Sequence, residues 1–152
     1  MAWIDSLPGR SSNLILSKGG VMNPELLILA LAAVLLMVHI FAAAHLKTKQ
    51  YGVDWNMGAR DDVLVPLNPG AGRLVRAQSN YLETLPIAVI ALLGVVVSGR
   101  GDLWTAIGGW IWLGARLVYL PVYAAGIPKV RTLIFLTSLV GLGMAIWPLF
   151  RL

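Results

Sequence analysis

The sequence predicts an all-α integral membrane protein, a bundle of four transmembrane helices. Three observations predict it. The 152-residue chain is 58% hydrophobic and only 12% charged, and a soluble domain of this length has no interior large enough to hide so much apolar surface. Four separate stretches each reach the ~20 largely apolar residues that a helix needs to cross a bilayer core. The basic residues gather mostly at the ends of those stretches, where topology rules place them.

The first 22 residues, MAWIDSLPGRSSNLILSKGGVM, are polar and broken by Pro8-Gly9 and Gly19-Gly20. They lack the continuous apolar core of a signal peptide and are read as a leader, with Met22 as an alternative start. The membrane domain is expected over residues 23–152. Its first span is Pro24–Leu46, opened by Asn23-Pro24 because proline suits a first helical turn. A long loop, Lys47–Ala71, follows. It carries Gly52, Gly58, Asp61-Asp62, Pro66 and Asn68-Pro69-Gly70, turn formers that do not read as a folded insert; such a loop either covers a site or is a plain connector. The second span is Gly72–Ser98, the third Leu103–Ala125 and the fourth Val130–Phe150.

Lys47, Lys49, Arg60, Arg73, Arg76, Lys129 and Arg131 lie on the side of the first and third loops, against Arg10, Lys18, Arg100 and Arg151 opposite. That balance places loops one and three in the cytoplasm and both termini outside. The net charge of +5 does not indicate nucleic acid, because no basic stripe runs between aromatics. With no cysteine, disulfides and thiolate metal sites are excluded. His39 and His45 sit on divergent helix faces and form no metal set. The small residues of GGWIWLG and VGLG read as close helix packing.

The second span opens with RLVRAQSNYLETLP, unusually polar for hydrocarbon. At 100° per residue Arg73, Arg76, Asn80 and Glu83 share an arc of about 80°. A carboxylate facing lipid costs about 2.5–3.5 kcal/mol, so Glu83 must face protein or water. The third span gathers Arg116, Tyr119 and Tyr123 in a similar arc, with Pro121 loosening the helix between the tyrosines. Arg116 lies inside an apolar segment and needs a partner, for which Glu83 can serve. Arg131 and Thr132 stand where the fourth helix begins, a helix end that attracts anions. A structural ion pair and a ligand cradle are both consistent with these residues.

The pattern RxxRAQxNxxExxP resembles the second-helix signature of the MAPEG family, the membrane-associated proteins in eicosanoid and glutathione metabolism. The resemblance runs from Asn23 to Phe150, through a third-span RxxYxxxY and a basic start to span four. The loop QYGVDWNMGARDD is similar to bacterial members, which implies a bacterial inner membrane. The family implies a homotrimer holding glutathione between neighbouring subunits near the cytosolic side. Carried over by motif, Arg73, Arg76, Asn80, Glu83, Tyr119, Tyr123 and Thr132 would bind glutathione. Arg131, or else Arg116, would stabilise its thiolate. Ser79 and Thr84 depart from the arginine and tyrosine found there in some branches.

The chemistry matches the charges. Arg73 and Arg76 can meet glutathione's carboxylates, Glu83 its ammonium and Asn80 a peptide group. The resemblance thus implies a microsomal-type glutathione transferase, with lipid hydroperoxide reduction as a second activity and no metal. Its partners would be membrane lipid and an apolar electrophile. The alternative is a non-catalytic lipid-binding or accessory subunit on the same scaffold. A small transporter is disfavoured, since there is one polar seam and no duplicated halves.

Overall fold

The computed structural model describes residues 22–61 and 64–151, with no strand among them. The expected leader therefore lies outside the described residues except for Met22. Helix α1 runs Pro24–Tyr51. Asn23 caps it, its side-chain oxygen accepting from the Glu25 backbone N–H at 2.9 Å, with Pro24 in the first turn. The helix continues past the expected end at Leu46 because HLKTKQY contains no breaker before Gly52, whose φ of 92° stops it.

The first loop is shorter and more structured than its composition implies. A short helix, α2, spans Val53–Met57. Beyond it, Gln50 Nε2 donates to the Pro66 carbonyl at 3.0 Å and Gln50 Oε1 accepts from the Asn68 N–H at 2.8 Å. The Tyr51 hydroxyl donates to the Val65 carbonyl at 2.7 Å. Helix α3, Pro69–Val97, starts before the expected Gly72. Asn68-Pro69 reads as a turn by composition, yet it repeats the Asn23-Pro24 start: the Asn68 side chain accepts from the Ala71 N–H at 2.8 Å.

Helix α4 occupies the expected Leu103–Ala125, opened by a reciprocal cap between Asp102 and Thr105 at 2.8 and 2.9 Å. Gly126, with φ 77°, closes it. Helix α5, Pro128–Ile146, begins at a first-turn proline just before the expected Val130 and tightens into a 3-10 turn over Trp147–Phe150.

The four long helices run up and down in turn. At one end Thr105 Oγ1 donates to the buried Glu25 Oε1 at 2.6 Å, tying the starts of α4 and α1. Arg100 Nη1 donates there to the Pro148 and Leu149 carbonyls at 3.1 and 3.2 Å. At the other end Arg73 Nη1 reaches the Ala124 carbonyl at 3.1 Å. The core joins Ile28, Ala32 and Leu35 to Tyr81, Leu92, Trp112 and Leu142. Helices α4 and α5 cross at Gly108 and Gly141: a Cβ on Gly108 would sit 2.7 Å from the Gly141 carbonyl oxygen, and one on Gly141 2.6 Å from that of Gly108. Only glycine fits either position.

All four long helices, α5 with its terminal turn, are apolar and long enough to cross a membrane, and Phe41, Val97 and Leu133 are exposed on their outer faces. The chain is an integral membrane protein. With 28 and 29 residues, α1 and α3 are about 42 and 44 Å long, more than the ~30 Å hydrocarbon core. That excess length is enough for the Arg73–Arg76 end of α3 to extend past the hydrocarbon core, with Glu83 about 15 Å along the axis from Arg73.

Candidate functional site

A polar cleft of about 370 Å³ lies where the first half of α3 meets the end of α4 and the start of α5. Helix α3 lines it with Arg76, Ser79, Asn80 and Glu83. The 3.6-residue turn puts these four on one stripe. Helix α4 adds Tyr119 and Tyr123, and α5 adds Arg131, Thr132 and Phe135. Every residue expected to bind, except Arg73, therefore lines a single cleft, together with the expected thiolate-stabilising Arg131.

Arg73 is held elsewhere. Its guanidinium donates to the Ala124 carbonyl and packs against Gly126, where a Cβ would approach it to 2.7 Å. The reason is local: the left-handed turn at Gly126 ends α4 and leaves carbonyls that a cation can meet.

Arg116 is buried at 1% exposure and lies behind the cleft, not on its wall. The expected carboxylate partner is not used. Arg116 Nη1 donates to Asn80 Oδ1 at 2.7 Å, and Nε and Nη2 have no partner among the described residues, so Glu83 accepts from none of its nitrogens. The guanidinium carbon lies 5.0 Å from the Phe135 ring centre and 5.4 Å from that of Tyr119. Aromatic faces and one carboxamide oxygen solvate this charge. Glu83 is left exposed on the cleft wall.

Tyr119 and Tyr123 meet edge to face at 5.3 Å, and Tyr119 tilts against Phe135 at 6.4 Å. Arg131, half-buried in the first turn of α5, lies 4.6 Å above the Tyr123 ring. Its charge therefore stands at the positive end of a helix, beside a phenol and open to the cleft. The Thr132 hydroxyl donates to the Pro128 carbonyl at 3.1 Å, leaving its oxygen free to accept. Ser79 and Phe135 are the wall residues outside the expected set; their helical spacing from Arg76 and Arg131, three and four residues on, was the available signal. Among the described residues, no group of three or more His, Cys, Asp or Glu could hold a metal ion.

This arrangement can bind a dipolar molecule and stabilise an anion formed beside Arg131. A family model described as the MAPEG family matches residues 26–150, nearly the whole chain. No curated protein and no solved structure matches.

Proposed function

The chain belongs to the MAPEG family, and on that premise we propose that it is a membrane-bound glutathione transferase of the microsomal type, acting on an apolar electrophile delivered from the bilayer. One observation carries the reading: three helices bring two guanidiniums, a carboxylate, a carboxamide and two phenols into a single cleft. Glutathione has two carboxylates, an ammonium, two peptide groups and a thiol. Arg76 meets a carboxylate, Glu83 the ammonium and Asn80 a peptide group.

Arg131 stabilises the sulfur. A thiol of cysteine type has a pKa near 8.5 and is only a few per cent ionised at neutral pH. Lowering that value by about two units takes roughly 2.7 kcal/mol of preference for the thiolate, within reach of one charge-assisted contact in a partly desolvated cleft. The sulfur then attacks the electrophilic carbon and the leaving group departs with its bonding pair. With a lipid hydroperoxide, two thiols are oxidised to a disulfide as the peroxide is reduced to alcohol and water.

The exposure of Arg76 and Glu83 supports a homotrimer in which a neighbouring copy closes the cleft. The charge balance of the loops supports a cytoplasmic cleft, in a bacterial inner membrane. The test is conjugation of glutathione to a chlorodinitrobenzene, followed by absorbance in proteoliposomes. Turnover that falls in both Glu83→Gln and Arg131→Ala supports the transferase. Glutathione binding without turnover supports the accessory-subunit reading.

A further inference from the structure

Four buried polar atoms behind the cleft have no hydrogen-bond partner among the described residues: His39 Nε2 on α1, and Trp112 Nε1, Arg116 Nε and Arg116 Nη2 on α4. Their side chains are 1%, 0% and 1% exposed for His39, Trp112 and Arg116. Neither lipid nor a neighbouring copy can touch them. The rings form one cluster, His39 stacking on Tyr81 at 4.6 Å and Tyr81 on Trp112 at 6.1 Å. Trp112 and Arg116, four residues apart, share a face of α4.

The bonding capacities identify what fits. His39 Nδ1 lies 2.9 Å from the Leu35 carbonyl, which only accepts, so the proton is assigned to Nδ1 and the neutral ring offers Nε2 as an acceptor. The Trp112 and Arg116 nitrogens are donors only. An anion would satisfy those donors and leave His39 unmet. Water donates and accepts, and its immobilisation costs less than leaving charged donors unmet in a low-dielectric interior.

We propose that the bundle holds bound water at this cluster, accepting from Arg116 and Trp112 and donating to His39. This water hydrates the Arg116 charge from behind, while Asn80 meets it from the cleft side. A polar network then links α1, α3 and α4 and ends on a residue of the cleft wall. The proposal does not depend on what the cleft binds.

The test is water-selective cross-relaxation NMR on the full chain in lipid nanodiscs, deuterated and carrying 15N-tryptophan. The expected result is a Trp112 indole N–H with a cross-peak to long-lived water. The signal disappears in Trp112→Phe, and its water cross-peak weakens in His39→Phe. Should Trp112→Phe not fold, replacing the five other tryptophans singly assigns the signal by elimination. A Trp112 N–H without a water cross-peak overturns the proposal. So does a resonance that moves when chloride is exchanged for bromide, the mark of an anion at the cluster.

Discussion

Arg116 Nη1 donates to Asn80 Oδ1 at 2.7 Å, joining a buried cation on α4 to a cleft-lining side chain on α3. A charge inside an apolar span needs a partner, and a carboxylate is the obvious one. Here a neutral oxygen and two aromatic faces take that part, with a desolvated cation–π contact contributing about 2 kcal/mol. Glu83 is thereby free to face a ligand.

The Asn80 bond gives a graded prediction. Asn80→Ala removes the acceptor of a buried guanidinium and lowers stability by about 1–3 kcal/mol. Asn80→Asp keeps an acceptor for Arg116 and retains the melting temperature, but adds negative charge to the cleft proposed to hold the anionic glutathione. Glutathione binding by Asn80→Asp falls on the order of tenfold, about 1.4 kcal/mol. Thermal melts in detergent and calorimetric titration with glutathione check the two effects separately.

Arg73 and Arg76 separate by role. Arg73 bonds the Ala124 carbonyl and Arg76 lines the cleft. Arg73→Ala lowers stability by about 1 kcal/mol or less given its partial exposure, and leaves glutathione affinity within twofold. Arg76→Ala does the reverse, weakening binding about tenfold with little change in stability. Affinity lost on replacing Arg73 alone would count against the placement described here.

The helix crossing at Gly108 and Gly141 tolerates no side chain. Gly108→Ala or Gly141→Ala pushes a methyl group into the facing carbonyl and costs about 1–3 kcal/mol. Gly114 lies on the same helix as Gly108, with nothing within 4 Å of where its methyl group would sit, so Gly114→Ala stays within about 0.5 kcal/mol of the parent. Reversible unfolding in mixed micelles measures all three.

Glu25 and Thr105 form a contact at 2.6 Å at the end of the bundle away from the cleft. A double-mutant cycle with Glu25→Gln and Thr105→Val is expected to show a coupling of about 0.5–3 kcal/mol. Glutathione affinity stays unchanged throughout the cycle.

Helical periodicity makes much of the site legible, because the 3.6-residue turn alone gathers Arg76, Asn80 and Glu83, and likewise Tyr119 and Tyr123. Span three agrees end to end, since Asp102 and Gly126 are strong boundary signals on either side of it. What stays hidden depends on contacts between distant segments. Arg73 fits the stripe by spacing, but α4 ends beside it and presents a free carbonyl. Asn68-Pro69 has the composition of a turn, while its side chain caps a helix. Glu25 falls inside the first apolar span, and its buried partner Thr105 lies 80 residues away in the chain.

The most direct measurement is the ultraviolet difference spectrum when glutathione is mixed with the purified protein across a pH series. A thiolate band half-formed about two units below the ordinary thiol pKa of ~8.5, and displaced back toward that value in Arg131→Ala, is the predicted result. A band that follows free glutathione equally in both proteins would contradict the role given to Arg131 and the transferase reading with it.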